Sequence, residues 1–231
     1  MIYGIANILD EEVTMHFQFL IEDQSSEILI RLVMQKLLVE YSNITYDCKS
    51  FRGIGGFTKK NTIKETKTGK LLNDLATYLR GFNKSLSGFS SAIFVILDND
   101  DRDTPVFMQD LERVAQQNNI IMDYVFCIAV EEVEAWLLGD ENALLCAYPN
   151  ARLSVLHSYI QDSVCGTWEV LANTVFPGGM KKIRNNNYSY VQIGALKCEW
   201  SEKIGHYLNI HNNKSPSFNL FLQELIRRIP S

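Results

Sequence analysis

The chain has no cysteines at CxxC spacing, no histidine or cysteine group at metal-ligand spacing, and no apolar run near the roughly 20 residues that span a bilayer. Its five cysteines, Cys48, Cys127, Cys146, Cys165 and Cys198, are odd in number, which argues against a disulfide framework and for reduced thiols. His16, His157, His206 and His211 share no spacing, which argues against a zinc site. The start, MIYGIANILDEE, lacks the basic region and long apolar core of a secretory signal, so the expectation is a cytoplasmic protein without a membrane segment. No GK[ST] follows Gly53, Gly55 and Gly56, so RGIGGF reads as a turn or hinge rather than a phosphate loop. Internal repeats and long low-complexity segments are also missing.

What is present is an ordinary globular composition: 231 residues, 46% hydrophobic and 21% charged, which excludes a wholly disordered chain. That length suits one α/β domain with an appendage, divided here as residues 1–148 and a mainly helical 149–231. The net charge of -5 conceals a division. Between Lys49 and Lys84 nine basic residues face two acids, whereas between Asp98 and Glu141 twelve acids face two arginines. A polyacidic segment repels nucleic acid unless divalent cations neutralise it, while Lys59, Lys60, Lys64, Lys67 and Lys70 could hold phosphates.

The apolar run 92–97 has almost no alternation, the pattern of a strand buried on both faces of a parallel sheet, and it ends in Asp98 and Asp100. HFQFLI, 16–21, likewise ends in Glu22 and Asp23, after which Ser25 or Ser26 can cap a helix carrying Leu29, Leu32, Val33 and Leu37. A further strand is expected over 44–51, then a helix from Leu71 to near Gly81, and one starting at Thr104 and Pro105. Residues 120–130 read as a strand running into Glu131, Glu132 and Glu134. Toward the C-terminus, FPGGMKKIRNNNYSY reads as a connection, Trp200, Ile204 and Leu208 mark one helix face, and SPSF opens a last helix. Strands alternating with helices predict a parallel sheet that delivers carboxylates to one edge.

Carboxylates so placed suit Mg²⁺ or Mn²⁺, which take oxygen ligands and leave room for waters and phosphate oxygens. Asp98 and Asp100 are the first candidates, Glu22 the third arm, and Glu132 or Glu134 the seat of a second metal. Lys197 could donate to a transition-state oxyanion. The competing reading of Asp98 to Asp103 is a solvated turn that caps the next helix.

LIEDQSSE and VILDNDDRD together resemble the TOPRIM pattern of topoisomerases, primases and OLD-type nucleases, a strand ending in Glu and another ending in Asp-x-Asp. The chain is more closely similar to a TOPRIM-like family of unassigned function related to RloB-type proteins, through Gly69 to Leu72, Glu132 to Asp140, Lys197 to Trp200 and Ser215 to Phe218. The resemblance covers His16 to Ile229. It implies a TOPRIM-like, mostly parallel α/β sheet flanked by helices with a mainly helical C-terminal extension. It implies Mg²⁺-dependent cleavage of DNA or RNA, with Glu22 in the general acid/base position and Asp98 and Asp100 as metal ligands. It also implies an OLD- or SMC-like ATPase partner and a role in defence against phage; a homo-oligomer is compatible with it. Three positions depart from the pattern: Asp23 replaces a glycine, Arg102 stands where many relatives have a third acid, and a basic loop precedes the GK segment. Asp101, Asp103 or Glu134 could supply the missing acid.

A different class of function is a non-catalytic regulatory or structural subunit of such an ATPase, with a degenerate metal site. Phosphatase chemistry of the haloacid-dehalogenase kind also opens on hhhDxD, but prefers Thr or Val where this chain has Arg102. A DxD glycosyltransferase lacks support from any nucleotide-sugar signature.

Overall fold

The computed structural model describes residues 13–53, 55 and 70–230. Lys59, Lys60, Lys64 and Lys67 lie outside the described residues, as does the segment 1–12.

Four strands form one sheet in the order β2-β1-β3-β4: β1 Met15–Ile21, β2 Ile44–Ser50, β3 Ser91–Asp98 and β4 Asp123–Ala129. Every pairing is parallel, with Ile21 beside Ser50 on one side and Ile96 on the other, and Asp98 beside Ala129. The protein is therefore an α/β protein with a parallel sheet flanked by helices, of the Rossmann or TOPRIM-like kind.

The unbroken apolar run of β3 follows from burial on both faces. Ala92, Phe94 and Ile96 enter one core with Phe17, Phe19 and Ile21, while Ile93, Val95 and Leu97 enter the other with Leu20. Helix α1 (Gln24–Glu40) packs Leu29, Ile30, Val33 and Leu37 into the first core. Helices α2 (Leu71–Ser85) and α3 (Thr104–Gln117) pack Leu75, Leu79, Phe107 and Leu111 into the second. From β1 the chain thus leaves over one face toward β2, and from β3 over the opposite face toward β4. The crevice between β1 and β3 is the topological switch point, where ligands bind in open α/β sheets.

The C-terminal part is helical, as expected. After the short α4 (Glu134–Leu138), α5 (Glu141–Ala147) and α6 (Leu153–Leu156) come α7 (Thr167–Val175), α8 (Gly179–Asn185), α9 (Tyr190–Tyr207) and α10 (Pro216–Ile226). Trp200 and Ile204 of α9 and Phe218, Phe221 and Leu225 of α10 are buried in the same core as β1 and α1. At Gly205 a Cβ would meet the Leu32 side chain at 2.8 Å, so α9 comes down on α1 at a residue without one. Among the described residues no helix is long and apolar enough to cross a membrane.

Four local expectations are corrected. Asp23, not Ser25 or Ser26, caps α1: its Oδ1 accepts from Ser26 N–H at 2.8 Å and from the Ser25 hydroxyl at 3.0 Å. Helix α2 runs through Gly81 to Ser85, since an isolated helical glycine costs only about 1 kcal/mol and packing offsets it. Strand β4 begins at Asp123 rather than Ile120, whose N–H closes the turn after α3. The connection read at 176–190 contains α8, started at Gly178 and Gly179 with φ of 88° and 57°.

Candidate functional site

Glu22 follows the last residue of β1, and Asp98 is the last residue of the neighbouring β3, so the switch point carries two carboxylates side by side. They are joined through the backbone. The Glu22 N–H donates to the Ile96 carbonyl at 3.2 Å, and the Asp98 N–H donates to Glu22 Oε2 at 3.1 Å. Asp98 Oδ1 accepts from the Val133 N–H at 3.0 Å. Each carboxylate thus has one oxygen committed to the fold, and the other carries no hydrogen bond among the described residues.

Burial raises the cost of charge here. Burial first, then the repulsion of Asp23 and Asp100, pushes the Glu22 carboxyl up to about 7 despite the N–H it accepts. Asp98 is pushed well above the ordinary carboxylate range by burial and by the Glu22 charge, with Asp23 and Glu134 adding to it. A site that disfavours its own ionisation in this way gains most from a bound cation.

Asp100 lies differently. Its φ of 50° is the left-handed region, and its N–H donates to the Glu131 carbonyl at 2.9 Å, pinning the turn after β3 to the one after β4. Its carboxylate accepts from the Arg102 guanidinium at 2.6 Å, and that guanidinium lies 5.0 Å from the centre of the Phe107 ring. The departure at Arg102 therefore supplies an internal partner for Asp100. Between the two aspartates, Asn99 donates from Nδ2 to the Arg102 carbonyl at 2.6 Å, while its buried Oδ1 has no partner among the described residues. Asp103 caps α3 through the Val106 N–H at 2.9 Å.

The turn after β4 sorts its three acids. Glu131, at a φ of 62°, gathers the N–H groups of Cys165, Gly166 and Thr167 at 3.1, 2.7 and 2.8 Å, and the Thr167 hydroxyl as well. These bonds outweigh burial and hold its carboxyl below the ordinary value. Glu132 accepts from the Trp168 N–H at 3.0 Å through Oε2 and from Lys197 Nζ at 2.9 Å through Oε1. Glu134, the first residue of α4, accepts from the same ammonium at 3.3 Å. Burial and the Glu134 charge push Glu132 up to about 7 even with Lys197 against it, and burial raises Glu134 too. Burial opposes the charge on Lys197, but Glu134 and Glu132 hold its pKa above the ordinary lysine value, so the ammonium stays protonated.

The structure therefore brings Glu22, Asp98, Glu132, Glu134 and Lys197 to one edge and keeps Asp100 beside it, paired with Arg102. Lys70 precedes α2 and donates to the Arg52 carbonyl. A hollow of about 480 Å³ opens beside Arg102, lined by Gly55, Asp103 and Phe107. A more apolar one of about 450 Å³ lies between β4 and α10 and does not reach the carboxylates. Sequence reasoning missed the capping role of Asp23 and the anchoring by Glu131. The first had a signal, since Asp is among the preferred N-cap residues; the second depends on a loop 34 residues away.

Among the described residues no three His, Cys, Asp or Glu side chains are set to hold a metal ion by themselves. Mg²⁺ does not need three, since one or two carboxylates with waters suffice. The uncommitted oxygens of Glu22 and Asp98, both hard donors in a charge-starved setting, fit such an ion. No protein-family model, curated protein or solved structure matches the chain.

Proposed function

We propose that the chain is a TOPRIM-like nuclease, cleaving phosphodiester bonds of DNA or RNA with Mg²⁺ or Mn²⁺ held by Glu22 and Asp98. The observation that carries this reading is the placement of the two carboxylates at the ends of adjacent parallel strands at the switch point, each with one oxygen committed to the fold. The bound ion would supply charge stabilisation at the phosphate oxygens and a more acidic water. The chain's own residues prepare the seat. The Val133 N–H fixes Asp98, the Asp98 N–H fixes Glu22, and without a cation Glu22 holds a proton over much of the range below about 7. Asp100 joins when phosphate draws Arg102 away from it, an exchange that a guanidinium favours by its bidentate fit to phosphate. Lys59, Lys60, Lys64, Lys67 and Lys70 guide the nucleic acid, and the resemblance adds an OLD- or SMC-like ATPase partner and an anti-phage role.

A second reading, a non-catalytic subunit of that ATPase, is favoured by one observation: three of the acids, Asp100, Glu132 and Glu134, are already ion-paired inside the chain. Cleavage of plasmid, single-stranded DNA and tRNA in Mg²⁺ or Mn²⁺, with and without the ATPase, separates the two. The nuclease reading expects cutting that disappears with chelator and in Asp98→Asn, which keeps the acceptor for Val133. Silence under every condition with the partner bound would favour the second reading.

A further inference from the structure

A positive charge at this edge is confined with the acids: Lys197. It reaches in from α9 with its side chain 15% exposed, and meets two carboxylates, Glu132 at 2.9 Å and Glu134 at 3.3 Å, whose side chains are 17% and 4% exposed. The other oxygen of Glu132 is taken by the Trp168 N–H. These two acids were the sequence candidates for a second metal, and in metal pairs the two ions stand roughly 3.5 to 4 Å apart and share a carboxylate wall.

We propose that the Lys197 ammonium occupies the place a second divalent ion would take, so that the site holds one divalent cation, on Glu22 and Asp98, and not two. The inference rests on the functional reading above and deepens it. Lys197 is then a positioning residue, a fixed counter-ion that keeps Glu132 and Glu134 from competing for the metal. A divalent ion entering between the two glutamates would have to displace an ammonium whose carbon stem is packed in the protein, and would find both Glu132 oxygens and Glu134 Oε2 already partnered. Charge decides the same way. Two carboxylates and one ammonium leave a single negative charge there, whereas Glu22 and Asp98 have no basic side chain bonded to them among the described residues. A hydrated Mg²⁺ or Mn²⁺ is therefore drawn to the second pair.

Counting bound Mn²⁺ by paramagnetic resonance and calorimetry on the full chain tests this. Wild type is expected to bind one ion, Lys197→Met two, and Lys197→Arg one. Glu132→Gln, which keeps an acceptor for Trp168, is expected to leave the count at one, and it decides the matter if Lys197→Met does not fold. Two ions on the wild type, with one lost in Glu132→Gln, would overturn the inference and leave the nuclease reading standing. One ion on a folded Lys197→Met would also overturn it. No ion on the wild type would instead overturn the metal-dependent function itself.

Discussion

Glu22→Gln is expected to make the metal-free protein more stable at pH 8 by roughly 3 kcal/mol while abolishing the proposed metal-dependent cleavage. The Glu22 carboxyl, ordinarily near 4.5, is raised to about 7 in the folded chain, chiefly by burial. A group whose folded pKa is raised binds its proton more tightly in the folded state. Its contribution to stability is full below about 4.5 and is lost as pH rises toward 7, where folding must carry a buried charge. Glutamine keeps an acceptor for the Asp98 N–H and never ionises, so the variant escapes that loss. For a chain of this size the difference amounts to several degrees in Tm, about 2 to 4 °C per kcal/mol. The check is thermal unfolding in chelator at pH 4.5 and pH 8. Wild type and variant should melt together at the lower pH and separate at the higher, with Glu22→Gln on top. A variant less stable at pH 8 would show that the carboxylate is held by protein partners rather than strained by their lack.

Trp136→Ala is expected to cost about 3 to 5 kcal/mol, measured by urea unfolding. Trp136 is fully buried in α4, stacked on Phe221 at 5.1 Å and edge-on to Phe218 at 5.5 Å, and its indole N–H donates to the Ser217 hydroxyl at 2.9 Å. Truncation would leave a cavity between α4 and α10 and a Ser217 hydroxyl without its indole donor. Glu134 lies two residues earlier on the same short helix, and the Val133 N–H that fixes Asp98 immediately precedes it. The variant should therefore weaken Mn²⁺ binding as well as the fold, whereas Leu144→Ala, buried in α5, should affect only the fold.

Much of this edge was legible in the chain because strands buried on both faces have no alternation to hide, and a sudden acid after such a run can only mark its end. Glu22 and Asp98 were readable for that reason, as were the parallel sheet and the helical C-terminal part. Partners in space were not. Arg102 looked like a missing acid and proves to be the ion-pair partner of Asp100; Lys197, read as a donor to an oxyanion, lies buried against two glutamates. Nothing local in the sequence tells that Glu132 and Glu134 face α9, since the pairing spans more than 60 residues. The same holds for Glu131, committed to the loop before α7 rather than to the site.

The seat itself is tested most directly by the effect of Mn²⁺ on thermal unfolding at pH 8, wild type against Asp98→Asn. A cation bound only by the folded state raises Tm by mass action. A rise that grows with Mn²⁺ is expected for the wild type and is expected to be lost in Asp98→Asn, although asparagine offers the same acceptor to the Val133 N–H. An equal rise in both proteins, or none in the wild type, would contradict the assignment of Glu22 and Asp98 as the divalent-cation site.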